Sequence, residues 1–281
     1  MLKPLAIASL LAVTAQAWAD TDAQRIAALD YAALDTLTAL GQGERIAGVP
    51  RSSLPEYLSS YASDDYADVG SLKAPEYKVL DELAPDSIVI SGRLGGEKDQ
   101  LEEIAPTWQN GSAEGNDYWS QLEANTHALA EEYGVDDQAG PALDTLHADI
   151  AEAVATIEGS PEVLVVLHND GKLVYRQDPV INDLMSLSSP TLPDDVETQT
   201  RGERSFTTLT PAQISAMAPD LVWVVDRSAA IGQPPLNIET LHSELGDLHV
   251  VKGSPRLWYL ASGGLKSTLL QVNEVVSALQ Q

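Results

Sequence analysis

The segment "APDSIVISGR", ending at Arg93, recurs about 130 residues later as "APDLVWVVDR", ending at Arg227. Each reads Ala-Pro-Asp, then an apolar run rich in β-branched residues, then one arginine. The step from Asp86 to Arg93 equals the step from Asp220 to Arg227. An apolar run without alternation, bounded by proline before and a cation after, is the pattern of a strand buried on both faces of a parallel sheet. Parallel strands need crossovers, usually helical and nearly always right-handed. A chain that writes this unit twice is constrained to an α/β architecture with two related halves.

The intervening segments supply the crossovers. "RIAALDY" (25–31) reads as a strand, "AALDTLTALG" as a helix stopped at Gly41, and "ERIAGVP" (44–50) as a second strand. "PEYKVLDELAP" (75–85), "KDQLEEIAP" and "GNDYWSQLEANTHALAEEYG" (115–134) read as helices. In "PALDTLHADIAEAVATIE" (141–158), Leu143, Leu146, Ile150, Val154 and Ile157 recur at three and four, with Pro141 at the expected start. A new strand set opens at "PEVLVVLHNDGKLVYR" (161–176), and a final helix is expected from about Leu265 to Leu279. The expected organisation is residues 1–19 as a signal peptide, 20–139 as an N-terminal lobe, 140–160 as a connecting helix and 161–281 as a C-terminal lobe. The expected fold is α/β, with two Rossmann-like lobes built on parallel sheets, joined by one long helix, and a ligand cleft between them.

Residues 1–19 carry Lys3, the apolar run "LAIASLLAVTA" and the small-residue site "AWA", the grammar of a cleaved export signal. The sequence contains no cysteine, so neither a disulfide nor a lipid-bearing thiol is expected, and the periplasm is the expected compartment. Sixteen basic residues face 42 acidic ones, a formal charge of −26. That balance argues against nucleic acid as a partner. It also gives weight to cations placed twice at one structural position.

Ligands of open parallel sheets bind beyond the carboxyl ends of the strands. Arg93 and Arg227 stand at two such ends, so facing lobes would aim both into one cleft. Their planar donors suit carboxylates, phosphates or catecholate oxygens. The residues alone leave open ordinary ion pairs with Glu97 or Asp226. In "SPRLWYLASGGLKS" (254–267), Tyr259 is expected on a loop near the cleft, as a hydrogen-bond donor or a ligand for ferric iron, and Trp258 is expected to pack the last helix. Arg51, after "RIAGVP", is a further basic candidate. "GGLKST" lacks the order of a phosphate loop, and the five histidines offer no paired spacing for a metal site.

"LDTLTALGQGERIAGVPRSSLPEYL", "VGSLKAPEYKVLDELAPDSIVISGR", "PDLVWVVDRSAAIG" and "WYLASGGLKS" together resemble the periplasmic siderophore-binding proteins of ferric-siderophore ABC importers, in the branch that takes catecholate-type cargo such as petrobactin. The resemblance runs from about residue 24 to the end and is weakest over 176–205. It implies a long-helix binding protein with little hinge motion, no intrinsic cofactor, an Fe(III)-siderophore as ligand and a membrane ABC permease as partner, acting as a monomer. It implies that Arg93 and Arg227 contact the anionic catecholates and that Tyr259 completes the iron shell. The family's third arginine lies in a Ser-Arg-Phe-Gly segment followed by a histidine. Here "VYRQDPVINDL" offers Arg176 for the arginine, with Ile181 or Asn182 in the histidine position. The permease-docking glutamates fall on Lys78 and Ala212, with Glu76 and Glu82 as neighbours in the first lobe. Haem, a corrinoid or a hydroxamate siderophore is the alternative cargo. A secreted hydrolase is a weaker reading, since G-x-S-x-G, S-x-x-K and H-E-x-x-H are all absent.

Overall fold

The computed structural model describes residues 24–111, 115–201 and 204–281. The expected signal peptide lies outside the described residues. In the first half, β1 (Ile26–Leu29), α1 (Tyr31–Ala39), β2 (Ile46–Val49), β3 (Ala67–Asp68), α2 (Tyr77–Leu83), β4 (Ser87–Ile90), α3 (Lys98–Glu102) and β5 (Thr107–Gln109) alternate. Their strands form one parallel sheet in the order β3-β2-β1-β4-β5. Two long helices follow, α4 (Tyr118–Glu132) and α5 (Asp136–Val154). The second half contains β6 (Val163–Asn169), β7 (Lys172–Tyr175), β8 (Thr198–Arg201), β9 (Arg204–Leu209), α6 (Pro211–Met217), β10 (Leu221–Asp226), α7 (Arg227–Ala230), α8 (Ile238–Leu245), β11 (Val250–Lys252), α9 (Pro255–Leu260) and α10 (Leu265–Leu279).

The second sheet, in the order β11-β10-β6-β7-β9-β8, is mixed, which corrects the expectation of two parallel sheets. Strands β6, β10 and β11 pair in parallel, whereas β7, β8 and β9 pair antiparallel. The cause is local. Asp170 and Gly171 take positive φ values of 51° and 75°, and Asn169 pairs with Lys172 across them. An Asp-Gly pair in that conformation is a two-residue hairpin turn. It sends the chain straight back instead of through a crossover.

The duplicated Ala-Pro-Asp has one job in both halves. Asp86 Oδ2 accepts from Arg25 N at 2.6 Å, and Asp220 Oδ2 accepts from Glu162 N at 2.7 Å. The two amides bond back to main-chain oxygens, Asp86 N to Arg25 O at 2.8 Å and Asp220 N to Glu162 O at 3.0 Å. Each aspartate thereby pins the residue that leads into the neighbouring parallel strand and sets the register of β1 with β4, and of β6 with β10. The preceding alanines, Ala84 and Ala218, end α2 and α6 in the left-handed region at φ 46°.

Helix α5 starts five residues before Pro141, so the proline lies inside the helix and not at its start. Gly134, at φ 68°, ends α4 and permits the tight turn into α5. One apolar core runs through both halves, joining Ile26, Leu34 and Val89 to Leu146, Val165, Trp223 and Val275. A buried carboxylate fastens the halves as well. Asp35 on α1 accepts from Lys266 N at 3.0 Å and Ser267 N at 2.6 Å, in the first turn of α10. Gly264 makes room for it, because a Cβ there would lie 2.5 Å from Asp35 Oδ2.

Candidate functional site

Strand β4 ends at Ile90, and Ser91 Oγ accepts from Arg93 N at 3.3 Å, turning the exposed Arg93 side chain off the sheet edge. Its Nη2 donates to the main-chain oxygen of Tyr259 at 2.9 Å. From the other sheet, β10 ends at Asp226, whose Oδ1 accepts from Ala229 N at 3.1 Å and starts α7 with Arg227 as its first residue. Arg227 Nε donates to the Tyr259 phenol oxygen at 2.8 Å, its guanidinium lies 5.5 Å from the ring centre, and Nη1 donates to Asn169 Oδ1. The arginines of the two repeats thus meet at one tyrosine.

Tyr259 lies on helix α9, not on the expected loop. Its neighbour Trp258 is buried, donates from Nε1 to Glu274 Oε2 at 2.7 Å, and has its ring centre 5.0 Å from that of Trp223. That anchoring matches the packing role expected for Trp258 and leaves Tyr259 half-buried.

Neither local ion pair forms. Burial alone would raise the Asp226 carboxyl, but hydrogen bonds from His168 Nδ1 at 2.8 Å, Ala229 N and Leu236 N outweigh it and hold the group below the ordinary value. Glu97 accepts from the Tyr77 hydroxyl at 2.6 Å. Among the described residues no carboxylate lies within 4.0 Å of the guanidinium of Arg93 or Arg227.

A cavity of about 450 Å³ opens beside this junction, with Lys73, Arg93, Arg256 and Tyr259 in its wall. The rest of the lining is serine, glycine and aliphatic, without a single carboxylate. In a chain of net charge −26, that is a concentrated inversion of sign.

Two residues expected in the cleft are placed elsewhere. Arg176 donates to Asp178 Oδ2 at 2.6 Å, and its main-chain N bonds Val165 O at 3.2 Å, level with the middle of β6 and away from the strand end that carries Arg227. Arg51 is paired with Asp64 at 2.8 Å and lines a neighbouring cavity of about 700 Å³. At the position of the family histidine, Asn182 accepts from Asp178 N at 2.7 Å and donates to Leu187 O at 2.9 Å, and Ile181 is buried. No cluster of three His, Cys, Asp or Glu occurs among the described residues. The sequence reading missed Arg256, Lys73 and Asn169. Arg256 was hidden because the segment was expected to be a loop, where residues three apart share no face. On helix α9 residues 256 and 259 share a side.

A family model described as "Periplasmic binding protein" matches residues 26–244. The petrobactin-binding protein YclQ of Bacillus subtilis is 28% identical over 270 residues, covering 92% of this chain and 83% of that protein. Its crystal structure superposes with a TM-score of 0.78, covering 92% of both chains. A periplasmic binding protein from Xylanimonas cellulosilytica is 30% identical with a TM-score of 0.75, over 92% of this chain and 89% of that one. The iron-uptake ABC transporter substrate-binding protein PiuA of Streptococcus pneumoniae is 26% identical with a TM-score of 0.73, over 91% and 92%.

Proposed function

Since this chain belongs to the periplasmic binding protein family, we propose that it captures an anionic ferric siderophore of catecholate type and delivers it to a membrane ABC permease for iron uptake. The observation that carries this reading is the lining of the cavity at Tyr259, which has three cations and no acid. Guanidiniums held apart from carboxylates are costly to enclose unless an anion joins them. A catecholate iron complex is such an anion. A nearly neutral hydroxamate complex would leave those charges unanswered.

Arg93, in the cavity wall, and Arg227, bonded to Tyr259 but not itself in that wall, hold the ligand's charge from the two sides. Arg227 donates to the Tyr259 phenol oxygen, which leaves that oxygen a lone pair for iron when the siderophore leaves a coordination position open. The iron belongs to the cargo, and the protein acts as a monomer without a resident cofactor. The similarity to a protein named as petrobactin-binding supports the catecholate class. No helix among the described residues is long and apolar enough to cross a membrane.

Tryptophan fluorescence tests the reading, because Trp258 directly precedes Tyr259 on α9. A ferric catecholate complex should quench it at sub-micromolar concentration. Arg227→Ala should weaken binding by about 1.5–3 kcal/mol, the scale of a hydrogen bond to a charged group. Equal affinity in wild type and variant would remove Arg227 from the site.

A further inference from the structure

Strands β6 and β10 pair in parallel, with His168 opposite Asp226. Their register continues past the strand ends as three rungs made by side chains, each joining residues 58 apart. His168 Nδ1 lies 2.8 Å from Asp226 Oδ1, Asn169 Oδ1 accepts from Arg227 Nη1, and Ser228 Oγ accepts from Asp170 N at 3.0 Å. His168 Nε2 accepts from Gly171 N at 3.1 Å, so the ring proton sits on Nδ1 and is donated to Asp226. Ala229 N and Leu236 N donate to the same carboxylate, and Lys252 Nζ lies 3.8 Å from it. The acid next to Arg227 in sequence is therefore answered by other groups. The middle rung, which holds Arg227 itself, is a neutral amide.

We propose that Asn169 is a positioning residue for anion capture: its amide oxygen fixes the plane of the Arg227 guanidinium and leaves that cation's charge uncompensated. The assignment rests on the siderophore reading above, and Asn169 acts through Arg227. Tyr259 holds Nε and Asn169 holds Nη1, and two points fix a planar group. Two of the five guanidinium donors are thus engaged, and three remain for an anion. Holding the side chain in place beforehand removes the ordering cost that a mobile arginine would add to binding. A carboxylate at this rung would fix the same geometry, but it would neutralise the cation, as Asp178 does for Arg176 at 2.6 Å and Asp64 for Arg51 at 2.8 Å. The carboxylate of Asp170 is one residue away. The third rung, from Asp170 N to Ser228 Oγ, and the left-handed turn at φ 51° hold the register that keeps it from replacing the amide.

Two variants separate geometry from charge: Asn169→Ala removes the bond, and Asn169→Asp keeps it while adding a charge. Both are titrated beside wild-type protein with the ferric complex of 2,3-dihydroxybenzoate at two salt concentrations, following tryptophan fluorescence. Asn169→Ala should lose about two- to fivefold in affinity, the scale of one ordinary hydrogen bond, with the salt dependence of wild type. Asn169→Asp should lose about tenfold or more, the scale of an interaction with a charged group. Its affinity should also fall less as salt is raised, because one fewer uncompensated cation faces the anion. In urea, Asn169→Asp should unfold at or above the midpoint of Asn169→Ala, because it retains the bond to Arg227. A purely structural asparagine predicts the reverse order of affinities, with Asn169→Ala the weaker binder. That order, equal losses, or a lower urea midpoint for Asn169→Asp would overturn the assignment while leaving the siderophore reading intact. If wild-type protein binds no ferric catecholate, the siderophore reading itself fails, and this assignment fails with it.

Discussion

Arg93 Nη2 donates to the main-chain oxygen of Tyr259 at 2.9 Å, across 166 residues of chain. A side chain from the first sheet thereby fixes the backbone of the residue whose phenol Arg227 fixes from the second. The two repeats do more than face one cleft, because they are mechanically joined at its wall.

That junction predicts coupling. Arg93→Ala and Arg227→Ala share Tyr259 as a partner, so their effects on ferric catecholate affinity should not add. A double-mutant cycle by fluorescence titration should give an interaction energy of at least about 0.5 kcal/mol. Strict additivity would mean that the two guanidiniums act on separate parts of the ligand.

Tyr259→Phe separates packing from iron ligation. The ring stays against Arg227 while the phenol oxygen is lost. A ferric complex that saturates iron should bind the variant nearly as well as wild type. One that leaves a position open should bind more weakly and lack the visible absorption of a phenolate–iron bond. Identical spectra for both proteins with the open complex would remove Tyr259 as an iron ligand.

Ala84 and Ala218 hold the left-handed conformation before Pro-Asp in both repeats, at φ 46°. A left-handed residue with a Cβ costs roughly 1–2 kcal/mol, against which glycine gives up some unfolded-chain entropy. Ala84→Gly and Ala218→Gly should therefore each leave stability unchanged or raise it by up to about 1 kcal/mol. Urea unfolding midpoints measure this, and a clear loss in either variant would show that the alanine methyl contributes packing.

Asp35 carries a pH signature. Burial raises its carboxyl above the ordinary 3.8, against the lowering effect of the Ser267 and Lys266 amides. As pH climbs above that value the unfolded chain loses this proton first, so the native state binds more protons and the contribution of Asp35 to stability falls. The stability difference between wild type and Asp35→Asn should therefore shrink with rising pH, starting near 3.8. A difference that grew instead would identify a carboxyl lowered by its helix-end hydrogen bonds.

The alternation of strands and helices, the doubled Pro-Asp unit and the two strand-end arginines were legible in the sequence, because each depends on residues within one or two turns of one another. Helix α10 was legible for the same reason, with its apolar face and glycine start. The hairpin at Asp170-Gly171 was also written locally, but the expectation of a crossover concealed it. Other features had no local signature. Arg176 and Arg51 resembled cleft residues by position, yet each has a nearby aspartate that neutralises it. Arg256 and Lys73 became cleft residues because the fold brought helix α9 and a remote loop to one wall.

The sequence by itself determined the elements, their pairing logic and the excess of negative charge. Only the tertiary structure decided which few cations escape that excess. Periodicity and turn chemistry act over a handful of residues, whereas a guanidinium's partner is set by where the sheets place it, and no local pattern encodes that distance.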